Sequence, residues 1–279
     1  MKRQKKEAAI IKIIVYTGTI LTLVILLSVV GYILFKGIPN LSLELFEWKY
    51  TTENVSLFPA LINTLLMIFL SLMFAAPVGI FAAIYLTEYA RKDNKLVKLV
   101  RLTAETLSGL PSIIYGLFGL LFFVTALKLR MSLISGSLTL SIMILPLIMR
   151  TTEEALIAVP VEYREGSYGL GAGRLRTVFK VVMPSAIPGI LAGIILSIGR
   201  IVGETAALIY TAGTVAQIPN TLFDSARTLS VHMYALSNEG LYTNQAYATA
   251  VVLLAIVVGI NALSAYLAKR LRRKTNGKD

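Results

Sequence analysis

The 279-residue sequence contains no cysteine, one histidine and one tryptophan, and only 15% of its residues are charged. Without cysteine there is no disulfide, no thiolate metal site and no thiol nucleophile. A single histidine, His232, cannot build a zinc cluster or a histidine relay, and no acid and nucleophile stand near it in a triad pattern. The charged fraction falls well below the roughly one quarter of an average globular domain. Apolar residues make up 56% of the chain and the mean hydropathy is +0.74. This is the composition of a chain that uses lipid as its solvent.

A membrane-crossing helix needs about 20 mostly apolar residues. Six stretches qualify, at 10–35, 57–86, 107–127, 131–150, 187–212 and 246–268. The first follows Met1–Glu7 and continues for about 25 residues without a small-residue cleavage pattern, so it reads as a retained helix rather than a signal peptide. Pro77 with Gly79 predicts a kink in the second. Gly109, Pro111, Gly116 and Gly119 predict close packing or a broken helix in the third. The loop after the first span holds Trp48, Tyr50 and Phe46, which suit an interfacial aromatic belt, and Glu44, Glu47 and Glu53 against Lys49 alone.

The 27 Lys and Arg residues give a net charge of +12, and their distribution sets the orientation. Segments 2–12, 91–101, 150–180 and 269–278 hold 21 of them, whereas Lys36, Lys49, Lys128, Arg130 and Arg227 lie on the other side. The positive-inside rule therefore predicts cytoplasmic N and C termini, with six crossings. Basic residues spread over four juxtamembrane sites suit lipid headgroups and do not form a nucleic-acid groove. The chain divides into an N-terminal helix and external loop (1–56), a helical core (57–268) and a basic tail (269–279).

Two features carry function. The remaining basic residue, Arg200, falls inside the fifth span with Glu204 four residues later. Ionisable residues at membrane depth cost a few kcal/mol on insertion scales, which makes them functional candidates. On a continuous helix the two share one face and partly neutralise each other. Gly189, Gly193, Gly199 and Gly203 form small-x-x-x-small steps that predict helix packing. The second feature is the cytoplasmic segment 151–186, with short helix candidates at 153–159 and 163–168 and the run Gly169–Gly173 (GLGAG). That run follows no strand and lacks a P-loop lysine, so a surface helix that docks another protein fits better than nucleotide binding. His232 is expected in an external segment, where 222–237 has helical apolar spacing.

Glu165-Gly166-Ser167, then Gly171 four positions on, then Val181-x-Met183-Pro184 after nine more residues, resemble the EAA loop of bacterial ABC-importer permeases. The spacing matches throughout; Gly166 and Ser167 replace the usual alanines. The segments GLPSIIYGLFGLLFF at 109–123, the whole of 164–213, and ARTLSVHMYAL at 226–236 resemble the PstA-type permeases of phosphate importers, with the related PstC-type subunit as the alternative. The resemblance implies an all-α, six-span, MetI-like type I importer fold. It implies a PstC-like permease partner, two PstB-like ATPase subunits that carry ATP and Mg, and a PstS-like phosphate receptor, with no cofactor and no ATP hydrolysis in this chain. It also implies that Glu165, Gly166, Ser167, Gly171 and Pro184 serve coupling to the ATPase and that Arg200 and Glu204 lie on the phosphate path.

The chemistry of the pair is compatible with that role. A guanidinium presents a planar fork of donors to an oxyanion, and a nearby carboxylate would favour release. A structural ion pair between helices is the competing reading. Other classes remain: a permease for a different oxyanion, or an ion-coupled secondary transporter, which would account for the spans and the charge pair but not for the cytoplasmic loop.

Overall fold

The computed structural model describes residues 2–91 and 93–275. All regular elements among them are helical. Helix α1 (Lys2–Gly37) leads through two short 3-10 turns to α2 (Phe58–Ile84), which ends in a π-helical stretch, Tyr85–Tyr89. Then come α3 (Lys95–Ser108), α4 (Ser112–Gly119) with a π-helical continuation Leu120–Ala126, and α5 (Leu133–Ile157). A loop bearing α6 (Val161–Gly169) follows. The one-turn α7 (Arg174–Thr177) passes through a third π-helical stretch, Val178–Val182, into α8 (Met183–Gly203). The chain closes with α9 (Ala206–Thr211), α10 (Leu229–Glu239) and α11 (Thr243–Thr275).

Five helices are long and apolar enough to cross a membrane, and the pair α3 and α4, bent by 104°, makes a sixth if counted together. The bend alters the third crossing. Residues 107 and 108, expected inside the span, end α3, which turns aside at Gly109–Leu110–Pro111. Proline cannot continue a helix and biases its predecessor to extended backbone, so the crossing begins at Ser112. Along α3, Leu96, Leu99 and Leu102 are exposed while Val97 is buried, as in a helix lying along a membrane surface.

Helices α2 and α5 form the centre. Met67, Leu70, Leu140, Met143, Ile144 and Ile148 build the main apolar cluster between them. Helix α5 is rich in buried hydroxyls, and three of them bond back to their own helix: Ser137 donates to the Leu133 carbonyl at 2.7 Å, Thr139 to Ser135 at 2.8 Å and Ser141 to Ser137 at 2.6 Å. Such back-bonding lets small polar residues sit at helix contacts without an unpaired donor. The opening of α5 is capped by other backbone. The amides of Ser132, Leu133 and Ile134 donate to the carbonyls of Thr211, Asp224 and Leu222, each at 2.9 Å.

The small-residue steps on α8 divide. Gly189 and Gly193 pack against Ala155 and Thr151 of α5, whereas Gly199 and Gly203 face open space. The expectation of packing thus holds for the first pair and fails for the second. Residues 11–29 of α1 are exposed, and the helix meets α11 at Gly37, which lies against Tyr247 and Val251. Side chains of the tail 269–279 lie outside the described residues.

Candidate functional site

Two clusters hold the residues singled out in the sequence, one inside the membrane and one at the α6 end. The fifth span does not run to residue 212. Helix α8 stops at Gly203, Glu204 adopts extended backbone (φ −75°, ψ 129°), and the chain resumes as the short α9. Arg200 and Glu204 therefore do not share a helix face, and they form no ion pair. The reason is local. Gly203 is the last residue of α8, and the Glu204 carboxylate offers an oxygen to the first turn of the next helix.

Glu204 is buried, and its Oε1 accepts the Ala207 amide of α9 at 3.1 Å. Its backbone carbonyl accepts the Ser230 hydroxyl at 2.5 Å, which ties the break to α10. Helix α9 packs against α4, where a Cβ on Gly116 would come within 2.9 Å of the Ala207 Cα. Gly119 faces Thr139 and Thr211 in the same way.

Arg200 is half-buried and lines a groove of about 420 Å³ with Leu147, Leu196, Gly199, Val257 and Asn261. The groove lies between α5, α8 and α11. Leu147 stands about 21 Å of helix from Leu133, so the guanidinium is set away from the end at which α5 begins. Among the described residues, Asn261 is the one other side chain of the groove with hydrogen-bonding capacity. The sequence carried a sign of it, as a lone amide in an apolar run, that span-finding passed over.

His232, expected in an external segment between the fifth and sixth spans, is fully buried in α10. Its ring meets Tyr50 edge-on at 6.0 Å, and Nδ1 lies 3.5 Å from Arg227 Nη1. Burial, reinforced by the Arg227 charge, lowers its pKa to about 4. It is a neutral core histidine.

At the α6 end, Glu165 and Gly166 are exposed and Ser167 is half-buried, its hydroxyl 2.8 Å from that of Thr177. Gly171 has φ +80°. Its amide donates to the Tyr168 carbonyl at 2.9 Å, and the Ala172 amide to Ser167 at 3.1 Å. These two bonds make a Schellman cap, in which the left-handed residue is normally glycine. Pro184 is apart from these four, exposed where the π-helical stretch passes into α8. Val161, Tyr163, Tyr168 and Leu170 stand exposed around α6.

Sequence reading missed the residues that hold this loop. Arg164 reaches Glu88 at the end of the second span, with Nη2 to Oε1 at 2.6 Å and Nε at 3.2 Å. Arg174 stacks over the adjacent Tyr89 ring at 4.9 Å. The two partners are 76 residues apart, beyond any local pattern. Among the described residues no group of three or more His, Asp or Glu could hold a metal.

Comparison with known proteins places this arrangement. Residues 75–273 match the family described as binding-protein-dependent transport system inner membrane component. The phosphate transport system permease protein PstA of Pasteurella multocida is 39% identical over 204 residues, covering 68% of this chain and 72% of the relative. The probable ABC transporter permease protein YqgI of Bacillus subtilis is 35% identical over 232 residues, covering 78% and 79%. Among solved structures, an inward-facing form of the MetNI methionine transporter superposes with a TM-score of 0.61 at 21% identity, over 77% of this chain and 94% of that one. A bacterial alginate importer gives 0.59 at 16% identity over 90% and 95%. The family match and the fold thus agree, and the chain belongs to the binding-protein-dependent inner membrane components as a multi-pass, non-catalytic permease subunit of a type I ABC importer, of the PstA type.

Proposed function

We propose that this permease forms, with a PstC-like subunit, the path for inorganic phosphate in an ATP-driven importer. Two PstB-like ATPase subunits supply ATP hydrolysis with Mg, and a PstS-like receptor delivers the anion. The observation that carries the reading is Arg200, a guanidinium within a membrane-crossing helix that lines a groove and is not neutralised by Glu204. Its planar fork offers a tetrahedral oxyanion paired charge-assisted hydrogen bonds. The names and identity levels of the PstA relatives support phosphate as the anion. Glu204 serves the path indirectly, by holding the helix break beside which Arg200 stands.

The loop 158–173 lies on the cytoplasmic side in this reading, with both termini, in keeping with the distribution of basic residues. Helix α6 is then the coupling helix. Its exposed face with Glu165, Gly166, Tyr168 and Leu170 enters a groove on the ATPase, Ser167 and Gly171 fix the shape of the turn, and Pro184 stands on the helical limb that returns to the membrane.

Phosphate uptake by proteoliposomes containing the complete importer tests the anion contact. Arg200→Met keeps side-chain length and should lower uptake by about tenfold or more, the equivalent of one charge-assisted hydrogen bond, with the complex still assembled. Arg200→Lys should be intermediate, because it keeps the charge and loses the fork. Normal flux through a well-assembled Arg200→Met importer would refute the contact.

A further inference from the structure

Helix α6 has nine residues and none of them is buried. A helix that short does not persist alone in water, and it has no apolar face packed on the core to hold it. What it has is Arg164. The guanidinium uses donors on three sides: Nη2 lies 2.6 Å from Glu88 Oε1, and Nε lies 3.2 and 3.5 Å from Oε1 and Oε2. Nη2 also donates to the Leu156 carbonyl, and Nη1 to the Val159 carbonyl, each at 2.9 Å. Both members of the ion pair are largely withdrawn from solvent, the arginine side chain to 17% exposure and the glutamate to 7%.

The three partners belong to two parts of the molecule. Glu88 terminates the second span in its π-helical stretch. Leu156 and Val159 close the C-terminal end of α5, where a cation also opposes the negative end of the helix dipole. Helices α2 and α5 in turn form the main apolar cluster of the bundle. On the return side of the loop, Arg174 covers the Tyr89 ring next to Glu88. The loop therefore grips the end of α2 from both of its limbs.

We infer that Arg164 is a positioning residue for energy coupling: with Glu88 it forms a rigid joint through which displacement of α6 moves α2 and α5 together. An apolar contact would slide under load. A fork bonded at once to a carboxylate and to two helix-terminal carbonyls has direction and does not. The joint rests on the reading of α6 as the coupling helix. It adds that the side-chain hydrogen bonds from α6 to the ends of α2 and α5 come from one residue.

The test uses the complete importer in proteoliposomes, with phosphate uptake and ATP hydrolysis recorded on the same samples. A cysteine at exposed Leu170 reports docking by crosslinking to the ATPase. In Arg164→Met and in Glu88→Gln, the phosphate moved per ATP hydrolysed should fall by about tenfold or more, while crosslinking and basal ATPase activity stay close to those of the parent. Arg164→Lys, which keeps the charge but cannot serve Glu88 and both carbonyls together, should recover part of the ratio. A role in folding alone would lower the amount of complex and leave the ratio unchanged. If Arg164→Met fails to assemble, Glu88→Gln, which retains shape and an acceptor oxygen, carries the measurement. An unchanged ratio in an assembled, crosslinking variant overturns the joint and spares the coupling helix. Absence of Leu170 crosslinks in the parent overturns both.

Discussion

Glu204 shows how one carboxylate serves two ends of backbone. It stands where α8 has lost its helical geometry, and its Oε1 accepts the Ala207 amide in the first turn of α9. Charge is not required for that bond, only an oxygen. Glu204→Gln should leave thermal stability of the purified complex nearly unchanged, whereas Glu204→Ala should lower it by about 1 kcal/mol, the usual loss when a helix start loses its acceptor. Differential scanning of both variants in the same detergent checks this. Because the glutamine variant preserves the break, any loss of uptake in it reports the carboxylate charge itself. Equal destabilisation by glutamine and alanine would show that the charge holds the break. Arg200, in contrast, has its neighbours in α5 and α11, so its partners are set by packing and not by the next turn of its own helix.

Among the elements, α4 and α9 meet closely enough that glycine decides the contact. A Cβ on Gly116 would come within 2.9 Å of the Ala207 Cα and 3.3 Å of two backbone carbonyl oxygens, and backbone cannot step aside as a flexible side chain does. Gly116→Val should separate α9 from α4 and reduce the yield of monodisperse complex, while Gly199→Val, at an open position on α8, should not. Size-exclusion profiles of the two variants check the contrast. The same elements show what was legible in the chain. Apolar runs identified the crossing helices because lipid requires about 20 such residues whatever they pack against. The sidestep of α3 and the break after Gly203 were less visible. Both are written in Gly and Pro punctuation, at 109–111 and at 203, which hydropathy averages away, although Gly203 followed by Glu204 and Thr205 is a helix stop and start when read for caps. The apolar spacing around His232 indicated a helix correctly, but spacing does not say which side is covered. The Schellman turn at Gly171 follows from its glycine, and the spacing of the loop residues was readable as a motif.

For the whole molecule, the testable quantity is orientation. The proposed orientation, with both termini and α6 on the cytoplasmic face, predicts that single cysteines at Leu170 and Leu175, both exposed, resist a membrane-impermeant maleimide in intact cells, whereas one at exposed Trp48 or Leu241 reacts once any outer barrier is opened. The reversed pattern would invert the molecule. Since the chain crosses repeatedly, each end of the bundle is assembled from segments distant in sequence, and no local reading could have paired Arg164 with Glu88. That separation has a consequence for synthesis. The carboxylate of Glu88 emerges from the ribosome 76 residues ahead of its guanidinium, and α3, α4 and α5 must all be made in the interval. At chain elongation rates of about 5–20 residues per second, Glu88 waits several seconds or more at the membrane border with water as its partner. Closure of the joint is thus among the later events in building this half of the bundle, and α6 takes its final position only after the helices that it grips have both been inserted.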